Sequence, residues 1–490
     1  MEPFSDELLW IVVSGFVVAF VLAFGIGAND VANSFGTSVG SKVLTLTQAC
    51  ILATIFEIAG AVLIGYKVSD TMRKGILDVS LYADGGEKLL AAGCLSALIS
   101  GAIWLIVATA LRLPVSGTHS MVGATVGFTL TAKGPIGVRW STLGAIVASW
   151  FISPALSGTA SALLYWCVRR LILRSPQPVK SGLKALPFFY GATMAVNVLS
   201  VVHDGPKLLA MDNIPLWLAL VTSMAIGALV AVCVRLFLVP YYKRRLVAPP
   251  VNFSLGLSNG GFNIYVIVQG PVGGSAWSIE RCTAAEVARA AMTPNSSAAP
   301  LLRAVSPPPA PAPPPPPDEL RLFSFLQVLT ATFGAFAHGG NDVSNAIGPL
   351  VALWLLYSEG GAHSRAETPL AILVFGGVGI AMGLWLWGRR VIRTVGEDLT
   401  SITPDTGFTI ELGAALTVLV ASKAGLPVST THCKVGSVVC IGYFSDKPVD
   451  WSLFRYVNTA TDICVPAKFK FSKMFFAICG SVPGCMLNKI

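Results

Sequence analysis

Long apolar runs limit most strongly what this chain of 490 residues can fold into. A helix needs about 20 mainly apolar residues to cross the hydrocarbon core of a bilayer. Runs near or above this length occur at residues 8–28, 48–66, 89–111, 141–166, 185–203, 214–239, 369–388 and 408–426. Only 12% of the residues are charged, against about 25% in a soluble domain. The sequence therefore predicts an all-α, polytopic membrane protein with about ten to twelve transmembrane helices.

An acidic motif ends the first apolar run and returns in the second half of the chain. Residues 27–37 read GANDVANSFGT and residues 339–348 read GGNDVSNAIG. An ionised carboxylate in the bilayer costs at least about 2.5 kcal/mol on insertion scales, so an acid there indicates a functional site. The alternative is that Asn and Asp cap the ends of broken helices. A cap explains one copy, but it explains a duplicated acid with Asn on both sides poorly.

Three motifs keep one spacing between the two halves. Asp30 and Asp342 are 312 residues apart, and Trp140 and Trp451 are 311 residues apart. Pro114 in LPVSGTHSMVG and Pro427 in LPVSTTHCKVG are 313 residues apart. This constant offset indicates an internal duplication, which is frequent in secondary transporters. With an odd number of spans between their first residues, the two repeats would be inverted in the membrane.

The segment between the halves is polar and ends in SPPPAPAPPPPPDE. Proline at this density favours an extended, disordered spacer, and it can also bind an SH3 or WW protein. The predicted organisation is a first membrane half at residues 1–240, a cytoplasmic linker at 241–320 and a second membrane half at 321–490.

Basic loops predict the orientation in the membrane. Two loops are rich in Lys and Arg, one at residues 169–184 and one at residues 243–245. They are two spans apart and therefore lie on the same side of the membrane, which is expected to be the cytoplasmic side. The N-terminus would then be extracellular, although Lys67, Arg73 and Lys74 would also lie outside. The acidic start lacks the basic region of a signal peptide, so the first run is expected to be retained. The net charge of +9 is explained by the loops, without a nucleic-acid partner.

The paired motifs resemble those of the inorganic phosphate transporter (Pit) family, and most closely its animal sodium-dependent members. The resemblance rests on GANDVANSFGT, GGNDVSNAIG, LPVSGTH and LPVSTTH, and it covers residues 8 to about 455. It implies sodium-driven uptake of monovalent phosphate at the plasma membrane, alternating access, inverted repeats with re-entrant hairpins and a homodimer. Animal members are also associated with phosphate sensing and viral attachment. A non-transporting sensor or receptor is therefore the alternative.

The two acidic motifs predict where sodium binds. Sodium prefers oxygen ligands, and the motifs place carboxylates and amides beside glycines that can unwind a helix and expose its carbonyls. The predicted sodium ligands are Asn29, Asp30, Asn33, Asn341, Asp342 and Asn345. Sodium is the only metal ion predicted, and no cofactor is implied. Proton coupling is the alternative.

The PVSGTH and PVSTTH motifs predict where phosphate binds. Each places Pro and small hydroxyl residues before an apolar stretch, as at a helix N-terminus, whose free N–H groups and partial positive charge attract an oxyanion. The predicted phosphate-binding residues are Ser116, Gly117, Thr118, Ser429, Thr430 and Thr431. For each hydroxyl alone, a cap or a bond to the backbone is the alternative. Sulfate stays possible as a substrate, and the roles of His119 and His432 stay open.

Two acids lie alone in apolar runs. Glu57 and Glu411 are not partners in the duplication, because Glu57 falls opposite Gly376. Both match glutamates on which the resembled family relies for transport, so both are expected near the sodium or phosphate pathway. The alternative is that each pairs with a buried donor.

The resemblance is expected to end near residue 456. Asp462, Lys468, Lys470 and Lys473 interrupt what the duplication predicts to be an apolar span. We therefore expect the last helix of the family to be replaced. The second hairpin motif would then lose the surface on which it packs, which puts the activity of the chain in doubt.

Overall fold

The structure is a computed structural model that describes residues 2–83, 85–111, 113, 115–206, 210–247, 251–258, 261–268, 318–361, 366–388 and 402–445. Within these ranges it describes only the backbone for residues 32–33, 244–247, 251–258, 261–268 and 318–321. The Pro-rich tract before residue 318 and the C-terminal tail after residue 445 lie outside the described residues.

The first half consists of helices joined by short turns. Its helices are α1 (Asp6–Asn29), α2 (Ala32–Gly40), α3 (Leu46–Ile64), α4 (Tyr66–Asp70), α5 (Glu87–Ala110), α6 (Gly117–Lys133), α7 (Trp140–Val168), α8 (Pro178–Val202) and α9 (Leu216–Cys233). The π-helical turns Thr71–Gly75, Arg169–Leu173 and Val234–Leu238 extend α4, α7 and α9. The all-α prediction is confirmed for this membrane half.

The described helices of the second half follow the order of those in the first. After α10 (Val239–Val247), its helices are α11 (Asp318–His338), α12 (Ser344–Glu359), α13 (Leu370–Gly383), α14 (Pro404–Lys423) and α15 (Thr430–Phe444). The π-helical turns Gly339–Val343 and Leu384–Gly388 follow α11 and α13. The constant offset places α11 opposite α1, and α15 opposite α6.

In the described part of the chain, nine helical segments are long and apolar enough to cross a membrane. One of them, Leu322–Glu359, was missed by the search for apolar runs, because the polar GGNDVSN stretch divides it. The helices α6 and α15 have only 17 and 15 residues, which is short for a core about 30 Å thick. This length is consistent with the predicted re-entrant hairpins, which stay a prediction.

The segment predicted to be an irregular linker contains regular structure. Strands β1 (Val251–Ser258) and β2 (Gly261–Val268) pair antiparallel, with Val251 opposite Val268 and Ser258 opposite Gly261. The sequence between them is Asn-Gly, and β2 is rich in β-branched and aromatic residues, a pattern that favours a hairpin. The disordered spacer was predicted for the Pro-dense tract, which lies outside the described residues, and it stays a prediction. The chain divides into two compact units, residues 232–318 and the remainder.

The helix α7 of the first half packs on α15 of the second half. The Ser157 hydroxyl donates to the Cys433 carbonyl at 2.8 Å, and the Ser161 hydroxyl donates to Ser437 at 2.9 Å. At Gly436, an added Cβ would lie 2.3 Å from the Pro154 carbonyl oxygen. The tail lies outside the described residues, so the expectation that it covers the second hairpin motif stays a prediction. Because α7 of the first half packs on α15, the duplication predicts α6 as the partner of the tail.

Candidate functional site

Both hydroxyl motifs begin helices, as the sequence predicted. α6 begins at Gly117 after the N-cap Ser116, whose hydroxyl accepts a hydrogen bond at 3.3 Å from the backbone N–H three residues on. α15 begins at Thr430 after the N-cap Ser429, which accepts the equivalent bond at 3.2 Å. The capping alternative is thus confirmed for the two serines. Both helix N-termini are buried, so their positive ends face the protein interior.

Asp30 contacts both of these helix N-termini. It is buried, and one carboxylate oxygen accepts from the Gly117 backbone N–H at 3.2 Å. The other oxygen accepts from the Thr431 hydroxyl at 3.4 Å. The acid of the first half therefore lies between α6 of its own half and α15 of the other half.

Asp342 lies in the equivalent position of the second half. Its Oδ2 accepts from the Thr430 hydroxyl at 2.9 Å, and its Oδ1 accepts from the Asn345 amide at 3.1 Å. The Thr118 hydroxyl lies 3.5 Å from the same Oδ1 and donates to the Val428 carbonyl at 2.9 Å. The acid of the second half thus also contacts both motifs.

The predicted sodium and phosphate residues therefore form one cluster. Thr431 reaches an acid 401 residues earlier in the chain, and Thr118 approaches one 224 residues later. The two halves cross at this point. A hydroxyl has one proton to donate, so a threonine that donates to an aspartate cannot donate to an anion at the same time. The predicted contacts with sodium and with phosphate would therefore be linked through these threonines.

The paired asparagines hold the backbone that leads into each hairpin helix. The Asn29 amide donates to the Leu113 carbonyl at 2.9 Å and accepts from the Val115 N–H at 3.1 Å. The Asn341 amide donates to the Val428 carbonyl at 2.7 Å and accepts from the Val428 N–H at 3.4 Å. Both asparagines therefore position the hydroxyl motifs, and their role as sodium ligands stays a prediction.

The other two predicted asparagines, Asn33 and Asn345, do not share this backbone-holding role in the described residues. Asn345 donates to the Thr118 hydroxyl at 2.7 Å as well as to Asp342, and its buried Oδ1 has no hydrogen-bond partner among the described residues. Such an oxygen suits a cation ligand. The side chain of Asn33 lies outside the described residues, and its backbone belongs to α2.

The glycines do not unwind the chain as expected. Asp30 and Val31 separate α1 from α2, but both have right-handed helical backbone angles. In the second half, the residues Gly339–Val343 form one π-helical turn inside a continuous helix. The wider turn changes the direction of the side chains without breaking the helix, and such turns are frequent at functional sites.

Glu57 belongs to a chain of three ionisable side chains. Its Oε2 lies 2.7 Å from His338 Nδ1, and His338 Nε2 lies 3.0 Å from Asp342 Oδ2. All three side chains are buried. Glu57 therefore pairs with a buried side chain, and its role in transport stays a prediction. The pairing also connects Glu57 to the acid of the second half.

Glu411 is surrounded by hydroxyl groups. Its Oε1 accepts from Thr37 and, at 2.7 Å, from Ser38. Its Oε2 accepts from Thr330 at 2.6 Å. Both oxygens of this buried carboxylate thus have hydrogen-bond donors, and Glu411 connects α2, α11 and α14. The role of Glu411 in transport likewise stays a prediction.

The two histidines with open roles meet in the interior. The rings of His119 and His432 contact each other edge to face, with centroids 4.7 Å apart. The His119 ring also stacks on Trp150 at 3.7 Å. These contacts give the two histidines a packing role between the hairpin helices.

Two residues near the site were missed by the sequence analysis, although the duplication could have revealed them. His338 falls opposite Ile26, and Lys434 falls opposite Met121. Glu57 and Glu411 likewise have apolar residues or glycine in the other half. A polar residue that only one half carries is therefore the signal that was overlooked.

The buried charges favour cations. Among the described residues, the buried acids are Asp30, Glu57, Glu87, Asp342, Asp405 and Glu411, and the buried Lys and Arg are Arg73 and Lys434. Because an isolated buried charge is costly, an excess of carboxylates requires cations or protons. The donor set of carboxylates, hydroxyls and amides suits a hard cation such as sodium.

Comparison with known proteins identifies the family. The phosphate transporter family matches residues 26–472, which extends past the expected end of the resemblance near 456. Sodium-dependent phosphate transporter 1-A of Danio rerio is 40% identical, covering 96% of this chain and 95% of that protein. Sodium-dependent phosphate transporter 2 of Homo sapiens is 39% identical, covering 96% and 98%. A solved structure described as the sodium-dependent phosphate transporter has a TM-score of 0.77 and 30% identity, covering 97% of this chain and all of that one. The chain belongs to the phosphate transporter family.

Proposed function

We propose that this protein is a sodium-coupled symporter that imports inorganic phosphate by alternating access. One observation carries the proposal. The hydroxyls of Thr430 and Thr431, predicted to bind phosphate, donate instead to Asp342 and Asp30, the carboxylates predicted to bind sodium. The same side chains therefore serve both ions, which is what obligatory coupling requires. The names of the relatives support sodium as the coupling ion and phosphate as the substrate.

The coupling follows from proton and charge balance. Without sodium, the threonine hydroxyls donate to the carboxylates, and the carboxylates repel an anion. Sodium at Asp30 and Asp342 neutralises the carboxylates and accepts the lone pairs of the hydroxyls. Their protons then turn toward phosphate, which also meets the partial positive charge of the two helix N-termini. Phosphate thus binds well only after sodium.

The wider context is also proposed. A plasma-membrane location, an extracellular N-terminus, inverted repeats and a homodimer fit the family, and a transporter rather than an enzyme fits the site. Domain boundaries at residues 240 and 320 and the binding of an SH3 or WW protein to the linker are proposed on the sequence alone.

The test is uptake of radiolabelled phosphate by cells that express the chain, with sodium or choline in the medium. Asp30→Asn and Asp342→Asn should each abolish sodium-dependent uptake, because each removes a cation-binding charge at constant volume. Surface biotinylation checks that both variants reach the membrane. Uptake with unchanged sodium dependence in both variants would refute the assignment, and uptake that is equal in choline would refute sodium coupling.

A further inference from the structure

Lys434 is a buried lysine at the edge of the candidate site. It lies on α15, four residues after Thr430, so both side chains lie on the same face of this helix. Lys434 is only 6% exposed. A buried ammonium group is costly unless an acceptor or a negative charge compensates for it. The surroundings of Lys434 should therefore contain such a partner.

The described residues contain no hydrogen-bond or ion-pair partner for Lys434. Glu411 is the negative charge that acts on it electrostatically. However, the Glu411 carboxylate already accepts from Thr37, Ser38 and Thr330. The carboxylate of Glu411 thus receives its hydrogen bonds from other side chains. The N–H groups of the Lys434 ammonium remain available to donate to a different acceptor.

A cavity lies at this point. It is a small cleft of about 30 Å³, part of it open to solvent, and its lining includes Lys434, Thr430, Ser34, Glu411 and His338. Three of these side chains can donate hydrogen bonds through an ammonium group or a hydroxyl. Thr430 joins the cavity to Asp342, at 2.9 Å. The cavity is therefore continuous with the cluster where the two halves cross.

We propose that Lys434 and Thr430, with Ser34, form a subsite for a tetrahedral oxyanion in this cavity, next to the sodium-binding acids. This inference rests on the proposed function and names the positive charge that the substrate meets. The ammonium group supplies a charge-assisted hydrogen bond, and the hydroxyls supply neutral ones. Glu411 keeps the ammonium group from being an isolated charge when the subsite is empty, and it weakens the hold on the anion enough for release.

The duplication shows that this subsite is one-sided. Lys434 falls opposite Met121, a buried thioether in the first half. The acids Asp30 and Asp342 and the threonines Thr118 and Thr431 are paired between the halves, whereas Lys434 and Thr430 fall opposite Met121 and Gly117. The anion therefore binds to one side of the point where the two halves cross, nearer to α14 and α15. The substitution Lys434→Met copies the first half and is the natural test.

The experiment measures equilibrium binding of radiolabelled inorganic phosphate to the purified full chain, in saturating sodium. Lys434→Met should raise the Kd for phosphate roughly tenfold or more, which is about 1.4 kcal/mol. Lys434→Arg, which keeps the charge, should stay much closer to the native Kd. The sodium concentration that half-saturates binding should change far less. Lys180→Met, which removes an exposed lysine at the start of α8, is the matched control. Lys434→Gln provides a second neutral variant if Lys434→Met does not fold.

Two results would overturn the inference. One is an unchanged Kd in a folded, neutral variant. The other is full recovery of phosphate binding in Lys434→Met combined with Glu411→Gln, since Lys434 would then only balance the charge of Glu411. Failure of the proposed function looks different, because the native chain itself would show no sodium-dependent binding or uptake of phosphate.

Discussion

At the scale of single residues, the site uses amides to shape the backbone and carboxylates to gather donors. Asn341 satisfies both the N–H and the carbonyl of Val428, one residue before the N-cap Ser429. Asn29 performs the same task with Leu113 and Val115. These segments are not helical, so their backbone groups have no partners within a helix, and an unpaired buried group is costly.

Asn341→Ala should therefore destabilise the protein by about 1 to 3 kcal/mol, because it leaves buried groups of Val428 without partners. The half-saturating phosphate concentration should rise as well, since the start of α15 is no longer fixed. Thermal unfolding followed by fluorescence measures the first effect, and uptake measures the second. Asn197→Ala is a matched control, because the Asn197 amide bonds within α8 to the Thr193 carbonyl. Equal, small losses in both variants would contradict the role given to Asn341.

The N-cap Ser429 allows capping to be separated from anion binding. Asp caps a helix as well as Ser does, and its negative charge is favourable at a helix N-terminus. Ser429→Asp should thus keep a capping side chain, but it should lower the stability of the protein, because Ser429 is fully buried and a further buried carboxylate is costly. It should also raise the half-saturating phosphate concentration more than tenfold, because it places a negative charge where we propose that the anion binds.

The measurement for Ser429→Asp combines a thermal melt with phosphate uptake. Thr45→Asp, at the exposed N-cap of α3, is the control and should change neither quantity. If Ser429→Asp transports phosphate with the native affinity, the start of α15 does not contact the anion.

At the scale of elements, helices of the two halves approach each other closely at glycines. At Gly60 in α3, an added Cβ would lie 1.9 Å from the Phe336 carbonyl oxygen of α11. At Gly27 in α1, the same distance separates it from the Ile380 carbonyl oxygen of α13. In lipid there is little hydrophobic drive between helices, so close backbone approach through small residues is the main source of packing. These crossings hold Glu57 against His338, and they place Asp30 beside Gly117 and Thr431.

Gly60→Ala should therefore separate α3 from α11 and weaken the Glu57–His338 contact. Gly144 in α7 has no atom within 4 Å of an added Cβ, so Gly144→Ala is the matched control. The control should be neutral or slightly stabilising, because Ala is favoured over Gly in a helix by about 1 kcal/mol. Thermal stability and uptake of both variants decide the question. A harmless Gly60→Ala would show that the crossing is looser than the backbone distances indicate.

At the scale of the whole molecule, the duplication leads us to expect that the two halves exchange their final helices. The helix α7 follows the first hairpin motif but packs on α15, which begins at the second one. By the duplication, the segment after α15 is expected to pack on α6. Residues 456–490 carry four charged side chains within the expected span, Asp462, Lys468, Lys470 and Lys473. Any loss of packing caused by this tail should therefore appear at α6 and not at α15.

Replacing residues 456–490 with an apolar span based on residues 141–166 tests this exchange. The replaced chain should reach the cell surface in larger amount, and amide hydrogen exchange should become slower at Gly117–Lys133. Exchange at Thr430–Phe444 should stay as it is, because α7 already covers that helix. Slower exchange at α15 alone would contradict the exchange of helices, and full surface expression of the native chain would show that its tail is harmless.

The sequence by itself determined the features that repeat along the chain. Hydropathy over about 20 residues marks a span, and a constant offset marks the duplication, so the membrane class, the two halves and the helix starts at Gly117 and Thr430 could be predicted. The partners of the side chains could not. The contacts of Glu57 with His338 and of Thr431 with Asp30 join residues 281 and 401 positions apart. These contacts depend on which helices cross and on how closely they approach. The glycine contacts and the packing of α7 on α15 decide both. Local patterns carry no record of those crossings, so only the tertiary structure joined the predicted sodium and phosphate residues into one cluster and placed Lys434 beside it.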